Sequence, residues 1–132
     1  MGKRILVIDD SSTMRKIVSR SLRQAGLEFD EILEAADGQE ALDLLENEKI
    51  DLILSDINMP NMDGIEFLRQ KKELDAIKDI PVVMITTEGG ADIIGEAKSL
   101  GAAGSVKKDL HAILVRRTQA HLQHRTGTFT AR

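Results

Sequence analysis

The sequence contains no cysteine, tryptophan or tyrosine, and its aromatic residues are the three phenylalanines Phe29, Phe67 and Phe129. Without cysteine, the chain can form neither a disulfide nor a thiolate metal site. No apolar run approaches the roughly 20 residues that span a bilayer, and the apolar stretch near the start is too short for a signal peptide. We therefore expect a cytoplasmic protein that does not contact a membrane.

The chain has 132 residues, of which 42% are hydrophobic and 30% charged, and this composition predicts one globular domain. The formal net charge of −4 argues against nucleic acid as the main partner. Residues 1–106 hold 12 Lys and Arg against 21 Asp and Glu, whereas residues 107–132 hold 6 against 1. We expect a domain body at 1–108, followed at 109–132 by an atypical basic helix or tail of the same domain.

Residues 5–8 form an unbroken apolar run, which is typical of a strand covered on both faces. A polar loop with N-cap candidates at 11–13 follows, and then a helical pattern that ends at Gly26, a predicted C-cap. The order recurs, with strands predicted at 32–33, 50–56, 81–86 and 104–107, a turn at Asp37-Gly38, and helices near 41–45, 65–72 and 93–100 and from about 110. This alternation predicts a doubly wound α/β fold, with a five-stranded parallel sheet and helices on both faces.

Acidic residues follow two of the predicted strands: Asp9 and Asp10 end the first, and Asp56 ends the third. Ligands of doubly wound sheets bind beyond the carboxyl ends of the strands, where these side chains would converge. Converging carboxylates repel one another unless they bind protons or a cation. Hard oxygen ligands with room for water and phosphate favour Mg²⁺ or Mn²⁺.

Thr86 ends the fourth predicted strand and Lys108 follows the fifth, so a hydroxyl and an ammonium would reach the same pocket. A single aspartate after a strand is often only a turn or cap residue. The preference of turns for aspartate does not account for Asp-Asp, Asp, Thr and Lys at the ends of four predicted strands. Together these residues predict a site for a metal ion and a phosphoryl group.

The sequence resembles the receiver domains of bacterial two-component response regulators, and among them most closely the single-domain chemotaxis regulators. The resemblance covers residues 4–104. Its matching segments are 5–15 (ILVIDDSSTMR), 34–38 (EAADG), 55–64 (SDINMPNMDG), 81–88 (PVVMITTE) and 101–104 (GAAG).

The resemblance implies a flavodoxin-like sheet with strand order 2-1-3-4-5. It also implies that Asp56 is the phosphoacceptor, phosphorylated by a sensor histidine kinase. Asp10 and Asp56 would hold Mg²⁺, or Mn²⁺, directly with the backbone carbonyl of Asn58, and Asp9 would act largely through a bound water.

By the same resemblance, Thr86 would sense the phosphoryl group and Lys108 would pair with it. The protein would be a phosphoacceptor rather than a turnover enzyme. Its phosphorylated state would change contacts with a downstream protein, such as a component of the flagellar motor switch.

The segment after residue 104 departs from the family pattern. Ser105 stands where receivers usually carry an aromatic residue, Asp109 replaces a proline, and Leu110 replaces a phenylalanine. One alternative is therefore a pseudo-receiver that only binds or dimerises. Another is a Mg²⁺-dependent aspartyl-phosphate phosphatase, although such enzymes usually carry an aspartate where this chain has Asn58.

Three interpretations of the basic C-terminal segment remain open. It forms a docked but frayed last helix, a disordered end, or an arm exchanged between two subunits. The protein is accordingly a monomer or a homodimer.

Overall fold

The computed structural model describes residues 3–24, 29–86 and 91–107. Strands and helices alternate along these ranges, as the sequence predicts. The elements are β1 (Arg4–Ile8), α1 (Ser12–Gln24), β2 (Glu31–Ala35), α2 (Gly38–Leu45), β3 (Leu52–Asp56), α3 (Gly64–Lys72), β4 (Val82–Thr86), α4 (Ala91–Ser99) and β5 (Gly104–Lys107). The predicted last helix and the cap at Gly26 lie outside the described residues.

All five strands pair in parallel, in the order β2-β1-β3-β4-β5. The α/β fold class and the order 2-1-3-4-5 are therefore confirmed. Parallel neighbours need a crossover connection, which a helix supplies between consecutive strands. Within the described ranges, no helix is long and apolar enough to span a bilayer.

The side chains of β1 alternate between the two faces of the sheet, as the pleat requires. Leu6 and Ile8 belong to a buried cluster that includes residues of α2, α3 and α4. Ile5 and Val7 belong to a second buried cluster, which includes residues of α1. Helices therefore cover both faces, which explains why the strand reads as a continuous apolar run.

Strand β3 begins at Leu52, two residues later than the apolar pattern predicts. The preceding residue, Asp51, uses its carboxylate Oδ2 to accept a hydrogen bond from the backbone N–H of Arg4 at 2.8 Å. Its own backbone N–H donates to the carbonyl of Arg4, also at 2.8 Å. The carboxylate of Asp51 thus accepts a hydrogen bond that a backbone carbonyl would accept in a regular parallel ladder. Regular pairing of β3 with β1 starts one residue later, at Leu52.

The Asp37-Gly38 pair forms the start of α2 rather than a separate turn. Asp37 Oδ1 accepts from the backbone N–H of Glu40 at 2.9 Å, and Glu40 Oε1 accepts from the backbone N–H of Ala36 at 2.9 Å. The arrangement is similar to a capping box, except that Glu40 accepts from the N–H of Ala36, one residue before the N-cap Asp37. It satisfies two backbone donors and fixes where the helix begins.

Gly64, the first residue of α3, packs directly against the end of β3. A Cβ atom at this position would collide with the backbone carbonyl oxygen of Asp56 and would lie 2.9 Å from Met84 Cε. Its backbone N–H donates to the carbonyl of Ile57 at 2.8 Å. Because Gly64 has no side chain, the start of α3 can lie directly against the end of β3.

We predict opposite effects of Gly→Ala substitutions at Gly64 and Gly95. At Gly64 the added methyl group meets backbone, and we expect the free energy of unfolding to fall by about 1–3 kcal/mol. Gly95 lies within α4 with nothing within 4 Å of a Cβ, so alanine should raise the free energy of unfolding by about 0.5–1 kcal/mol. Urea unfolding followed by circular dichroism measures both, and a Gly64→Ala variant as stable as the parent contradicts this account.

Lys71, on α3, is a buried lysine with 5% of its surface exposed. Its Nζ donates to the backbone carbonyl of Lys78 at 2.9 Å. Burial lowers the pKa of Lys71 to about 8, against an opposing contribution from the charge of Asp79. At neutral pH the folded protein therefore carries a charge whose burial opposes folding.

This burial predicts a pH-dependent contribution of Lys71 to stability. Above pH 8 the folded state loses this proton, while the unfolded chain keeps it until near pH 10.5, so unfolding must take up a proton. The free energy of unfolding of the parent, relative to Lys71→Met, should therefore rise by about 1–2 kcal/mol between pH 7 and pH 10.

Urea unfolding of both proteins at several pH values measures this difference. Lys16→Met, which removes an exposed lysine, is the control for the loss of one positive charge. A difference for Lys71→Met that stays constant with pH would show that burial does not perturb this lysine.

Candidate functional site

Three carboxylates meet at the carboxyl edge of the sheet, where β1 and β3 lie side by side. Ile8 pairs with Ser55, so the residues that come next, Asp9 and Asp56, are neighbours across the two strands. Asp10 completes the group, and one carboxylate oxygen from each of the three aspartates lies within 4.8 Å of the others. The structure thus brings these three predicted residues together.

The three aspartates differ in exposure. Asp9 is 3% exposed and Asp56 7% exposed, whereas Asp10 is open to solvent. Three negative charges at this separation repel one another, and burial of two of them strengthens the repulsion. A divalent cation with oxygen ligands relieves this repulsion, and this donor set fits Mg²⁺ or Mn²⁺.

Backbone amides orient the two buried carboxylates. Asp9 Oδ1 accepts from the N–H of Ser11 at 2.9 Å, and Asp56 Oδ1 accepts from the N–H of Ile57 at 2.8 Å. Ser11 also caps α1, because its hydroxyl accepts from the N–H of Met14 at 3.1 Å, as the cap prediction for residues 11–13 expects. The turn after β1 and the start of α1 are therefore held together.

Arg15 supports the same turn, a role that the sequence reasoning missed. Its Nη1 donates to the backbone carbonyl of Asp9 at 2.5 Å, and its Nε pairs with Glu34 Oε1 of β2 at 2.7 Å. A cation near the start of a helix is unfavourable with respect to the helix dipole. An arginine at this position of α1 is therefore a signal that could have pointed to a local structural role.

Asn58 lies in the loop that connects β3 to α3, two residues after Asp56, and its side chain is exposed. The buried side chains of Met59 and Met62 anchor this loop to the core. The loop thus follows directly from the strand that carries Asp56. The participation of the Asn58 carbonyl in metal binding stays a prediction.

Thr86 is the last residue of β4, next to β3 in the sheet. The register pairs Asp56 with Ile85, so the backbone of Thr86 lies one residue beyond the level of Asp56. Lys107 pairs with Thr86 and ends β5. Lys108 follows it and lies outside the described residues, so the roles of Thr86 and Lys108 stay predictions.

Comparison with known proteins agrees with this geometry. Residues 5–117 match the family model of the response regulator receiver domain. A chemotaxis protein CheY homologue of Campylobacter jejuni is 43% identical over 98 residues, which are 73% of this chain and 74% of the relative. The chemotaxis protein CheY of Pseudomonas aeruginosa is 41% identical over 109 residues, 83% of this chain and 86% of the relative.

A similar solved structure is that of the chemotaxis protein CheY4 of Vibrio cholerae. It superposes with a TM-score of 0.81 at 36% sequence identity and covers 91% of this chain and 98% of its own. Sequence and structure thus agree over most of the chain's length. The chain belongs to the response regulator receiver domain family of two-component signalling proteins, and within it to the CheY-like members.

Proposed function

We propose that Asp56 accepts a phosphoryl group from a phosphohistidine of a sensor histidine kinase, in a step that depends on Mg²⁺. The observation that carries this proposal is the carboxylate cluster of Asp9, Asp10 and Asp56 on a receiver-family sheet. The phosphorylated form changes its contacts with a downstream protein. The process is chemotaxis, in keeping with the names of the relatives.

Several features make Asp56 suited to be the nucleophile. It ends the central strand β3, it is 7% exposed, and the N–H of Ile57 fixes one carboxylate oxygen at 2.8 Å. In the transfer, a carboxylate oxygen bonds to phosphorus while the bond from phosphorus to the imidazole nitrogen breaks. The imidazole retains that electron pair and later takes a proton from water, and the product on Asp56 is an acyl phosphate.

Asp10 and Asp56 would hold Mg²⁺, or Mn²⁺, directly with the backbone carbonyl of Asn58, and Asp9 would act largely through a bound water. A bound divalent cation neutralises negative charge on the transferring phosphoryl group. Without that charge compensation, the phosphoryl group would approach three carboxylates of like sign. Of the two direct carboxylate ligands, Asp56 would act from the buried side of the site and Asp10 from the solvent side.

The remaining parts of the proposal concern the response to phosphorylation. The hydroxyl of Thr86 senses the phosphoryl group, and the ammonium of Lys108 pairs with it. The downstream target is a protein such as a component of the flagellar motor switch, and the protein acts in the cytoplasm as a phosphoacceptor rather than a turnover enzyme. Residues 1–108 act as the receiver body, with 109–132 as its atypical basic end.

Replacement of Asp10 should weaken Mg²⁺ binding. We expect Asp10→Asn to raise the Kd for Mg²⁺ at least about tenfold, since even residues that act through a ligand are worth about 10- to 100-fold. Isothermal titration calorimetry is the suitable measurement, because the chain has no tryptophan or tyrosine to report binding by fluorescence.

Mg²⁺ should also raise the Tm of the parent more than that of Asp10→Asn, because it binds the folded state. Asp30→Asn is the matched control, since Asp30 is exposed at the opposite edge of the sheet, next to the start of β2. Equal Mg²⁺ affinity in all three proteins would remove Asp10 from the metal site.

Incubation with acetyl phosphate tests the phosphoryl transfer itself. With Mg²⁺, the parent and Asp30→Asn should each gain one phosphate that is stable in acid and labile in base, and Asp56→Asn should gain none. Mass spectrometry counts the phosphate. Label that persists in Asp56→Asn, or that forms equally without metal, contradicts the mechanism.

The same assay separates the two alternatives. Steady release of phosphate from many phosphomonoesters would identify a hydrolase. A folded protein that binds Mg²⁺ but takes up no label would identify a pseudo-receiver, for which the serine at position 105 in β5 is the motivating feature.

A further inference from the structure

A cavity of about 310 Å³ lies at the amino edge of the sheet, opposite the carboxylate cluster. It is bounded by the ends of α3 and α4 and by the segment that precedes β4. Four lysines line it, Lys71, Lys72, Lys78 and Lys98, together with one acidic residue, Asp79. We call this group the lysine cavity, and its side chains give it a net positive charge.

Three of the four lysines have an ordinary structural explanation. Lys72, Lys78 and Lys98 are exposed. Lys72 and Lys98 lie in the last turns of α3 and α4, where a cation complements the helix dipole. Lys78 Nζ lies 3.6 Å from a carboxylate oxygen of Asp75. These three lysines alone would indicate only a solvated basic surface.

Lys71 does not fit that explanation, because 95% of its surface is buried while it lines the same cavity. Its ammonium has three N–H groups, and within the described part of the chain it makes one hydrogen bond, to the carbonyl of Lys78 at 2.9 Å. It forms no ion pair with any described carboxylate, although buried lysines are almost always paired. Asp79, which lines the same cavity, is the acidic residue whose charge acts on Lys71, and it offsets only part of the effect of burial.

We propose that the lysine cavity binds a small polyanion with phosphate groups, such as a phosphate ester or a polyphosphate, and that Lys71 donates to it directly. A cavity of about 310 Å³ falls within the range of small-molecule sites. Lysine is a common phosphate ligand, and several lysines around one cavity favour a multiply charged ligand over a single chloride or acetate. The lowered pKa of Lys71 shows that burial outweighs the opposing charge of Asp79, and a bound anion would stabilise the ammonium further.

Calorimetric titration with sodium pyrophosphate at pH 7 tests this proposal. Mg²⁺ is omitted and a chelator added, so that the carboxylate cluster repels the anion and contributes no binding. The parent should bind pyrophosphate, Lys71→Met should raise the Kd about tenfold or more, and Lys98→Gln should raise it about threefold or more. Lys16→Gln removes an exposed lysine of α1 and should leave the Kd unchanged.

The variants distinguish this site from other basic surfaces. Methionine preserves the length of the buried stem of Lys71, and circular dichroism confirms folding. If Lys71→Met fails to fold, Lys98→Gln decides the outcome. Absence of binding by the parent, or a Kd that neither Lys71→Met nor Lys98→Gln raises, overturns the proposal. The assay does not involve Asp56, so its result is independent of phosphorylation.

Discussion

The parallel pairing of β1 with β3 is the constraint on which the candidate site depends. Because Ile8 pairs with Ser55, the next residue on each strand is an aspartate, and Asp9 and Asp56 lie at the same level of the sheet. A shift of this register by one residue would turn every side chain of one strand to the opposite face. The fully buried apolar residues of both strands, such as Leu6 and Ile53, therefore fix the position of the acidic residues that follow.

This arrangement places charges where they oppose folding. Asp9 and Asp56 are buried beside each other and beside Asp10, so their charges repel in a region shielded from solvent. Hydrogen bonds from the N–H groups of Ser11 and Ile57 offset part of this cost, and Arg15 holds the carbonyl of Asp9. The cluster supplies the negative charge and the oxygen ligands that a cation needs. The proposed metal binding and phosphoryl transfer therefore share one site.

Two clusters of opposite charge lie at the two ends of the strands. The carboxyl edge gathers aspartates from β1 and β3, whereas the amino edge near β4 gathers the lysine cavity. This polarity follows from the chain's topology, because every parallel strand begins at one edge and ends at the other. A cation and an anion would thus find their sites at opposite ends of the same strands, with α3 running between the two regions.

The sequence by itself determined the order of strands and helices and the three aspartates of the cluster. Apolar runs such as 5–8, and residues that end strands, such as Asp56, are local features of the sequence. Because parallel strands all end on the same side of the sheet, these features predict that the strand-ending aspartates lie together. The family resemblance supplied the strand order and the chemical role of each site residue, which local patterns do not contain. The apolar pattern predicts a start of β3 that is two residues too early, because it does not contain the hydrogen bond between Asp51 and Arg4, residues 47 positions apart.

Only the tertiary structure decided the burial of Lys71 and the contact of Arg15 with Asp9. A lysine in a helical pattern reads as a surface residue, and its burial depends on how the end of α3 packs against the segments before β4 and after α4. Such packing joins residues that are distant in the chain. Periodicity reports which side of one helix is apolar, whereas the neighbours that cover a particular side chain are set by the assembly of several elements.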